Sequence, residues 1–206
     1  NWISNIHDHV PKNNLAVLLY FFNTYIYRER IYMAGGTSVN LPVMKKVYET
    51  LLTLFRGKSD APLFELCFAE SLEDLGNITL ETGGEGSWEE AGVYYTEFIA
   101  LLEKNRENLN LINSLSENEA YARVGYYYEI GKGRENAEKA ASFYKKEYEA
   151  AMALREKDTG PDGLISSGLA KNNFAKSLLA AGGRENLRQG LKLSCEAFQE
   201  EEHLRA

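Results

Sequence analysis

The chain has 206 residues, 44% hydrophobic and 26% charged, so it is long enough for one globular domain or one short repeat array. Its net charge of −7 leaves no basic excess to neutralise phosphates, which argues against nucleic-acid binding. The three histidines lie near the chain ends, so we do not expect a catalytic histidine in a central cleft. The two cysteines, Cys67 and Cys195, are too few for a disulfide framework, and we expect both to be buried.

The N-terminal region begins at Asn1 rather than at a methionine, and we interpret the chain as part of a longer protein. His7 and His9 could contribute to a metal site, but residues two apart do not share a helix face and no third ligand is near, so a solvated leader is favoured. The longest apolar run, residues 15–27, is too short to span a bilayer. We therefore expect a buried helix there and no membrane association.

Four glycine breaks recur along the chain at nearly constant spacing. The first glycines of the breaks are 48, 48 and 51 residues apart, at Gly35, Gly83, Gly131 and Gly182. Each break follows one apolar, helix-like run and precedes another. The spacing therefore predicts a unit of helix, glycine turn and helix, repeated about four times, at residues 12–57, 62–106, 117–157 and 162–204. No strand-like alternation competes, so the predicted fold class is all-α.

Local signals agree with these helices. Residues 43–55 carry apolar side chains at helical spacing, which predicts the second helix of the first unit. Ser87 with Glu90, and Ser116 with Glu119, have the spacing of a capping box. They predict the start of the second helix of unit two and of the first helix of unit three.

Two segments resemble known repeat families. Residues 120–133, Ala-Tyr-Ala-Arg-Val-Gly-Tyr-Tyr-Tyr-Glu-Ile-Gly-Lys-Gly, resemble a tetratricopeptide repeat of the Sel-like branch, and residues 74–77, Asp-Leu-Gly-Asn, open unit two similarly. Residues 153–157, 160–162 and 172–175 read Ala-Leu-Arg-Glu-Lys, Gly-Pro-Asp and Asn-Asn-Phe-Ala, and are similar to the longer repeats of kinesin light chain. The resemblance covers about residues 66–198.

This resemblance implies a right-handed α-solenoid with close helix packing at Gly76 and Gly125. It also implies a protein- or peptide-binding module whose first helices line a concave groove, as a sensor or adaptor part of a larger protein. The alternative is a structural spacer or oligomerisation scaffold without a groove ligand. We expect no enzyme activity, no metal and no cofactor, because no histidine lies between residues 10 and 202.

The groove positions that the resemblance implies are mostly polar or aromatic. Asparagine amides could bracket a peptide amide, tyrosines offer apolar faces with a polar tip, and glutamates would favour a Lys- or Arg-bearing partner. A solvated polar helix face without a ligand is the alternative for each residue, and Asn173 is an alternative to Asn172. The candidate ligand-binding residues are Tyr25, Glu29, Tyr32, Glu73, Asn77, Tyr126, Glu129, Asn172 and Lys176.

The expected partner is therefore a protein or a peptide. Self-association through the repeat ends is a further expectation, because the last helix lacks a stacking neighbour. Two unpaired cysteines and no signal segment indicate a reducing, cytoplasmic location.

Overall fold

A computed structural model describes residues 41–111, 116–157 and 160–205. These residues form seven α-helices and one short 3-10 helix, Arg106–Leu111, which confirms the predicted all-α class. No described helix is both long enough and apolar enough to cross a membrane. The α-helices are α1 (Leu41–Phe55), α2 (Pro62–Thr82), α3 (Ser87–Lys104), α4 (Glu117–Ile130), α5 (Arg134–Lys157), α6 (Pro161–Ala181) and α7 (Arg184–Arg205).

The helices belong to two compact units, one ending at residue 113 and one beginning at residue 114. In the first unit α2 packs against α1 and α3, and in the second each helix from α4 to α7 packs mainly against its neighbours in the sequence. Helices meet at three of the four predicted glycine turns, which confirms those three turns. The turn at Gly35 and the helix before it lie outside the described residues.

Left-handed glycines precede the second helix of each of the three described hairpins. Gly86, Gly133 and Gly183 have φ values of 83°, 97° and 85°, immediately before α3, α5 and α7. A side chain would strain the backbone in this conformation, which explains why glycine recurs there. Because Gly86 occupies the cap position, Ser87 is already inside α3 and makes no cap hydrogen bond. The predicted capping box of Ser87 and Glu90 is therefore wrong.

The other predicted capping box is present at the start of α4. The backbone N–H of Ser116 donates to the Glu119 carboxylate at 3.1 Å, and the Ser116 hydroxyl donates to the same carboxylate at 2.6 Å. Ser116 has an extended backbone, as an N-terminal cap requires. This box fixes where α4 begins.

The core of the second unit combines small and aromatic side chains. Alanines on α5 leave room for α6 to approach, and Phe174 of α6 stacks on Tyr148 of α5 with ring centroids 6.0 Å apart. This is the expected consequence of alternating small and large residues at facing positions. The buried residues of this core are Ala140, Ala141, Tyr144, Phe174, Ala175, Leu178 and Leu193.

The second helices of the first two predicted units are bridged by polar side chains. Lys45 of α1 pairs with Glu90 of α3 at 2.6 Å, and the Tyr94 hydroxyl of α3 donates to Glu49 of α1 at 3.2 Å. Burial and the neighbouring Glu49 carboxylate raise the pKa of Tyr94 to about 12, so the phenol keeps its proton at neutral pH. These polar contacts join α1 to α3, which both pack against α2.

Candidate functional site

Two glycines lie directly under tyrosine rings of the facing helix. A Cβ atom built on Gly76 of α2 would lie 2.8 Å from the ring of Tyr95 of α3, and one on Gly125 of α4 would lie 2.7 Å from the ring of Tyr144 of α5. In both hairpins the glycine and the tyrosine are 19 residues apart in the sequence. The predicted close helix packing at Gly76 and Gly125 is confirmed.

In the first unit the hydroxyl of Tyr95 is hydrogen-bonded to one predicted groove residue, which is in turn hydrogen-bonded to a second. Tyr95 Oη donates to Asn77 Oδ1 at 2.7 Å, and Asn77 Nδ2 donates to Glu73 Oε1 at 2.7 Å. Glu73 is buried and Asn77 is half-buried. This chain of hydrogen bonds joins α3 to α2, so Asn77 and Glu73 have a structural role. Their contact with a ligand stays a prediction.

In the second unit the equivalent tyrosine holds Glu129. The Tyr144 hydroxyl donates to the Glu129 carboxylate, and Glu129 remains exposed. Burial, followed by the hydrogen bond to Glu129, raises the pKa of Tyr144 well above its usual value. The phenol therefore stays protonated and keeps donating. The result is a carboxylate that is fixed in position and still reaches solvent.

The two asparagines of α6 have different surroundings. Asn173 Nδ2 donates to both carboxylate oxygens of Glu147 on α5, at 3.2 and 3.3 Å, so Asn173 belongs to the packed interface. Asn172 points about 100° away around the helix. It is half-buried, and its amide has no hydrogen-bond partner in the described part of the chain. The geometry thus favours Asn172 over Asn173 as a ligand contact.

Asn172 lies on an exposed face of α6 that also carries apolar side chains. Ile165, Leu169, Asn172 and Lys176 are spaced by four, three and four residues, which places them on one side of a helix. Ile165 is 54% exposed and Leu169 is 59% exposed. Neither residue was among the candidates predicted from the sequence. The same helical spacing, counted back from Asn172, would have found them.

The exposed face of α4 lies on the same side of the second unit as this face of α6. α5 packs against both α4 and α6, and Asn118 of α4 donates to the Ser166 hydroxyl of α6 at 3.0 Å. The faces that α4 and α6 turn away from α5 are therefore neighbours. Tyr126, 55% exposed, lies on this face of α4. The exposed carboxylate of Glu129 lies at the edge of the face, where it accepts the hydrogen bond from Tyr144 of α5. We name as the first-helix surface the six residues Tyr126, Glu129, Ile165, Leu169, Asn172 and Lys176.

The remaining predicted candidates, Tyr25, Glu29 and Tyr32, lie outside the described residues, as does the His7–His9 segment. Within residues 41–111, 116–157 and 160–205 no group of three His, Cys, Asp or Glu side chains has the geometry of a metal site. None of the protein-family models, curated proteins or solved structures compared with the chain matches it.

Proposed function

We propose that the chain is a tetratricopeptide-type right-handed solenoid and that the first-helix surface binds a peptide segment of a partner protein. The observation that supports this most is on α6, where two exposed branched side chains, Ile165 and Leu169, adjoin the unengaged amide of Asn172. Solvent-exposed aliphatic side chains next to an amide that is not hydrogen-bonded are suited to a peptide, which offers both apolar side chains and backbone amides.

The chemistry of the other members fits the same ligand. The Asn172 amide carries both a donor and an acceptor, so it can pair with the C=O and N–H of a peptide bond. Tyr126 provides an apolar face with a polar tip. Glu129 and Lys176 carry opposite charges, so they favour a peptide with a basic residue near α4 and an acidic one near α6.

A peptide-library selection followed by alanine substitution tests this proposal. We expect Tyr126→Ala with Asn172→Ala to weaken a selected peptide by about thirtyfold, because truncating central contacts of an interface often costs about 2 kcal/mol. Both side chains reach solvent, so the variant should keep the parent's helix content and thermal midpoint. The measurement is the Kd by isothermal titration calorimetry.

The matched control is the double variant Val93→Ala with Asn186→Ala. It also removes one exposed apolar side chain and one half-buried amide, from α3 and α7, outside the first-helix surface. We expect this control to bind as the parent does. Equal binding by the Tyr126 and Asn172 variant would contradict the assignment.

An oligomerisation scaffold is the second candidate function. It is favoured by one separate observation, the exposed apolar side chains Leu187, Leu191 and Phe198 on α7. A peptide-binding module would serve as a sensor or adaptor part of a larger protein. A cytoplasmic location stays a prediction.

A further inference from the structure

The helix α7 carries an exposed apolar stripe along its outer face. Leu187, Leu191, Cys195 and Phe198 are spaced by four, four and three residues, so they lie on one side of the helix. Leu191 is 59% exposed and Phe198 is 61% exposed. Cys195 is exposed as well, contrary to the expectation that both cysteines are buried, whereas Cys67 is buried.

Two of the corresponding positions on α5 are covered by packing. Both helices begin at the arginine of the sequence Gly-Arg-Glu-Asn, at residues 133–136 and 183–186, so positions on α7 correspond to positions 50 residues earlier on α5. Leu191 corresponds to Ala141, which is buried, and Phe198 corresponds to Tyr148, which stacks on Phe174 of α6. At these two positions the α7 stripe resembles the helix-packing face of α5 but is exposed, whereas Lys145, which corresponds to Cys195, is exposed on α5 as well.

The charges on α7 indicate what this face accepts. Its first half, residues 184–194, has three basic side chains and one acidic one, and its second half, residues 195–205, has four glutamates and one arginine. A second α7 that runs antiparallel would place each basic half beside an acidic half. A parallel α7 would place like charges together. The stripe and the charge pattern therefore both favour packing against a second α7 that runs antiparallel.

We propose that a second copy of this chain docks on this face, with the two α7 helices packed antiparallel about a two-fold axis near the middle of the helix. Such an interface is isologous, so each copy contributes the same residues. The apolar stripes of the two copies would cover each other, which removes the exposed apolar side chains Leu187, Leu191 and Phe198 from solvent. Cys195 lies at the midpoint of Arg184–Arg205, so the two thiols would lie close to the axis.

Sedimentation velocity of the 206-residue chain, over about 1 to 200 μM, tests the association. We expect a dimer in the parent and at least a tenfold weaker association for Leu191→Glu. The matched control is Leu169→Glu on α6, because Leu169 has the same exposed fraction, 59%, and lies on the first-helix surface. It should leave the dimer intact. A parent that stays monomeric at 200 μM, or equal weakening by both substitutions, would overturn the proposal.

Crosslinking with a short bismaleimide tests the antiparallel arrangement. Cys67 is buried, so Cys195 is the accessible thiol of the chain's two cysteines. We expect a covalent dimer from the parent and none from Cys195→Ser or Leu191→Glu. Arg188→Glu should weaken the dimer, and raising the salt concentration should weaken the parent dimer. A dimer that is sensitive to Leu191→Glu and is not crosslinked through Cys195 would overturn the antiparallel arrangement.

Failure of this proposal and failure of the proposed function are distinguishable. The dimer depends on α7 and the peptide site on α4 and α6. Leu169→Glu should therefore weaken the selected peptide without changing the dimer, and Leu191→Glu should do the reverse.

Discussion

Replacing Gly125 by alanine should destabilise the second unit by about 1–3 kcal/mol, although alanine is the better helix former. The added methyl would lie 2.7 Å from the Tyr144 ring. That ring cannot move aside easily, because Tyr144 is buried and its hydroxyl is bonded to Glu129. The overlap must therefore be relieved by separating α4 from α5, which opens the core. Urea unfolding, followed by circular dichroism, measures the change.

The matched control is Gly168→Ala. Gly168 also lies inside a helix, α6, but a Cβ there meets no atom within 4 Å. The same methyl should therefore stabilise the protein by about 0.5–1 kcal/mol, since glycine costs backbone entropy in a helix. If Gly125→Ala and Gly168→Ala shifted the unfolding midpoint in the same direction, the stability of the second unit would not depend on the close contact between Gly125 and Tyr144.

Replacing Glu147 by glutamine should stabilise the protein above pH 7, by up to about 3 kcal/mol. Burial raises the pKa of Glu147 from 4.5 to about 7, and the hydrogen bond from Asn173 offsets part of this rise. Between these values the unfolded chain loses a proton that the folded chain keeps. The stability of the parent therefore falls as pH rises from 4.5 to 7, and stays lowered above 7. Glutamine carries no charge to bury and can still bond Asn173.

Free energies of unfolding at pH 5 and pH 8 measure this effect. The gain from Glu147→Gln should be small at pH 5 and large at pH 8. Glu149→Gln, which removes an exposed carboxylate two residues along α5, should keep the pH dependence of the parent. A gain from Glu147→Gln of the same size at both pH values would show that desolvation of the charged carboxylate is not its origin.

The sequence predicted the hairpins because the same local requirement recurs at each turn. A left-handed residue before the second helix needs glycine, so Gly86, Gly133 and Gly183 mark the turns directly. The Gly76 and Gly125 contacts were predicted from the resemblance to tetratricopeptide repeats, and the missing Cβ atoms explain how the helices approach so closely there. The cap at Ser87 was mispredicted for a related reason. Two glycines within a few residues compete for the turn, and the spacing of Ser87 and Glu90 does not show which residue ends it.

The candidate site was less predictable because burial depends on helix rotation. Asn172 and Asn173 are adjacent in the sequence, and only the packing of α6 on α5 shows that Asn173 bonds Glu147. Glu73 has a charged side chain, which would ordinarily be solvated, but it is buried beside Asn77. The exposure of Cys195 depends on whether another helix packs against α7. Asn173 and Glu147 are 26 residues apart, so no local pattern specifies their contact.

Amide chemical-shift mapping of the labelled protein with a selected peptide tests the central claim, peptide binding on the first-helix surface, most directly. We expect the largest shift changes at residues 126–130 of α4 and 165–176 of α6, with saturation at one peptide per chain. Changes concentrated on α3 or α7, or no site-specific change at saturating peptide, would contradict it.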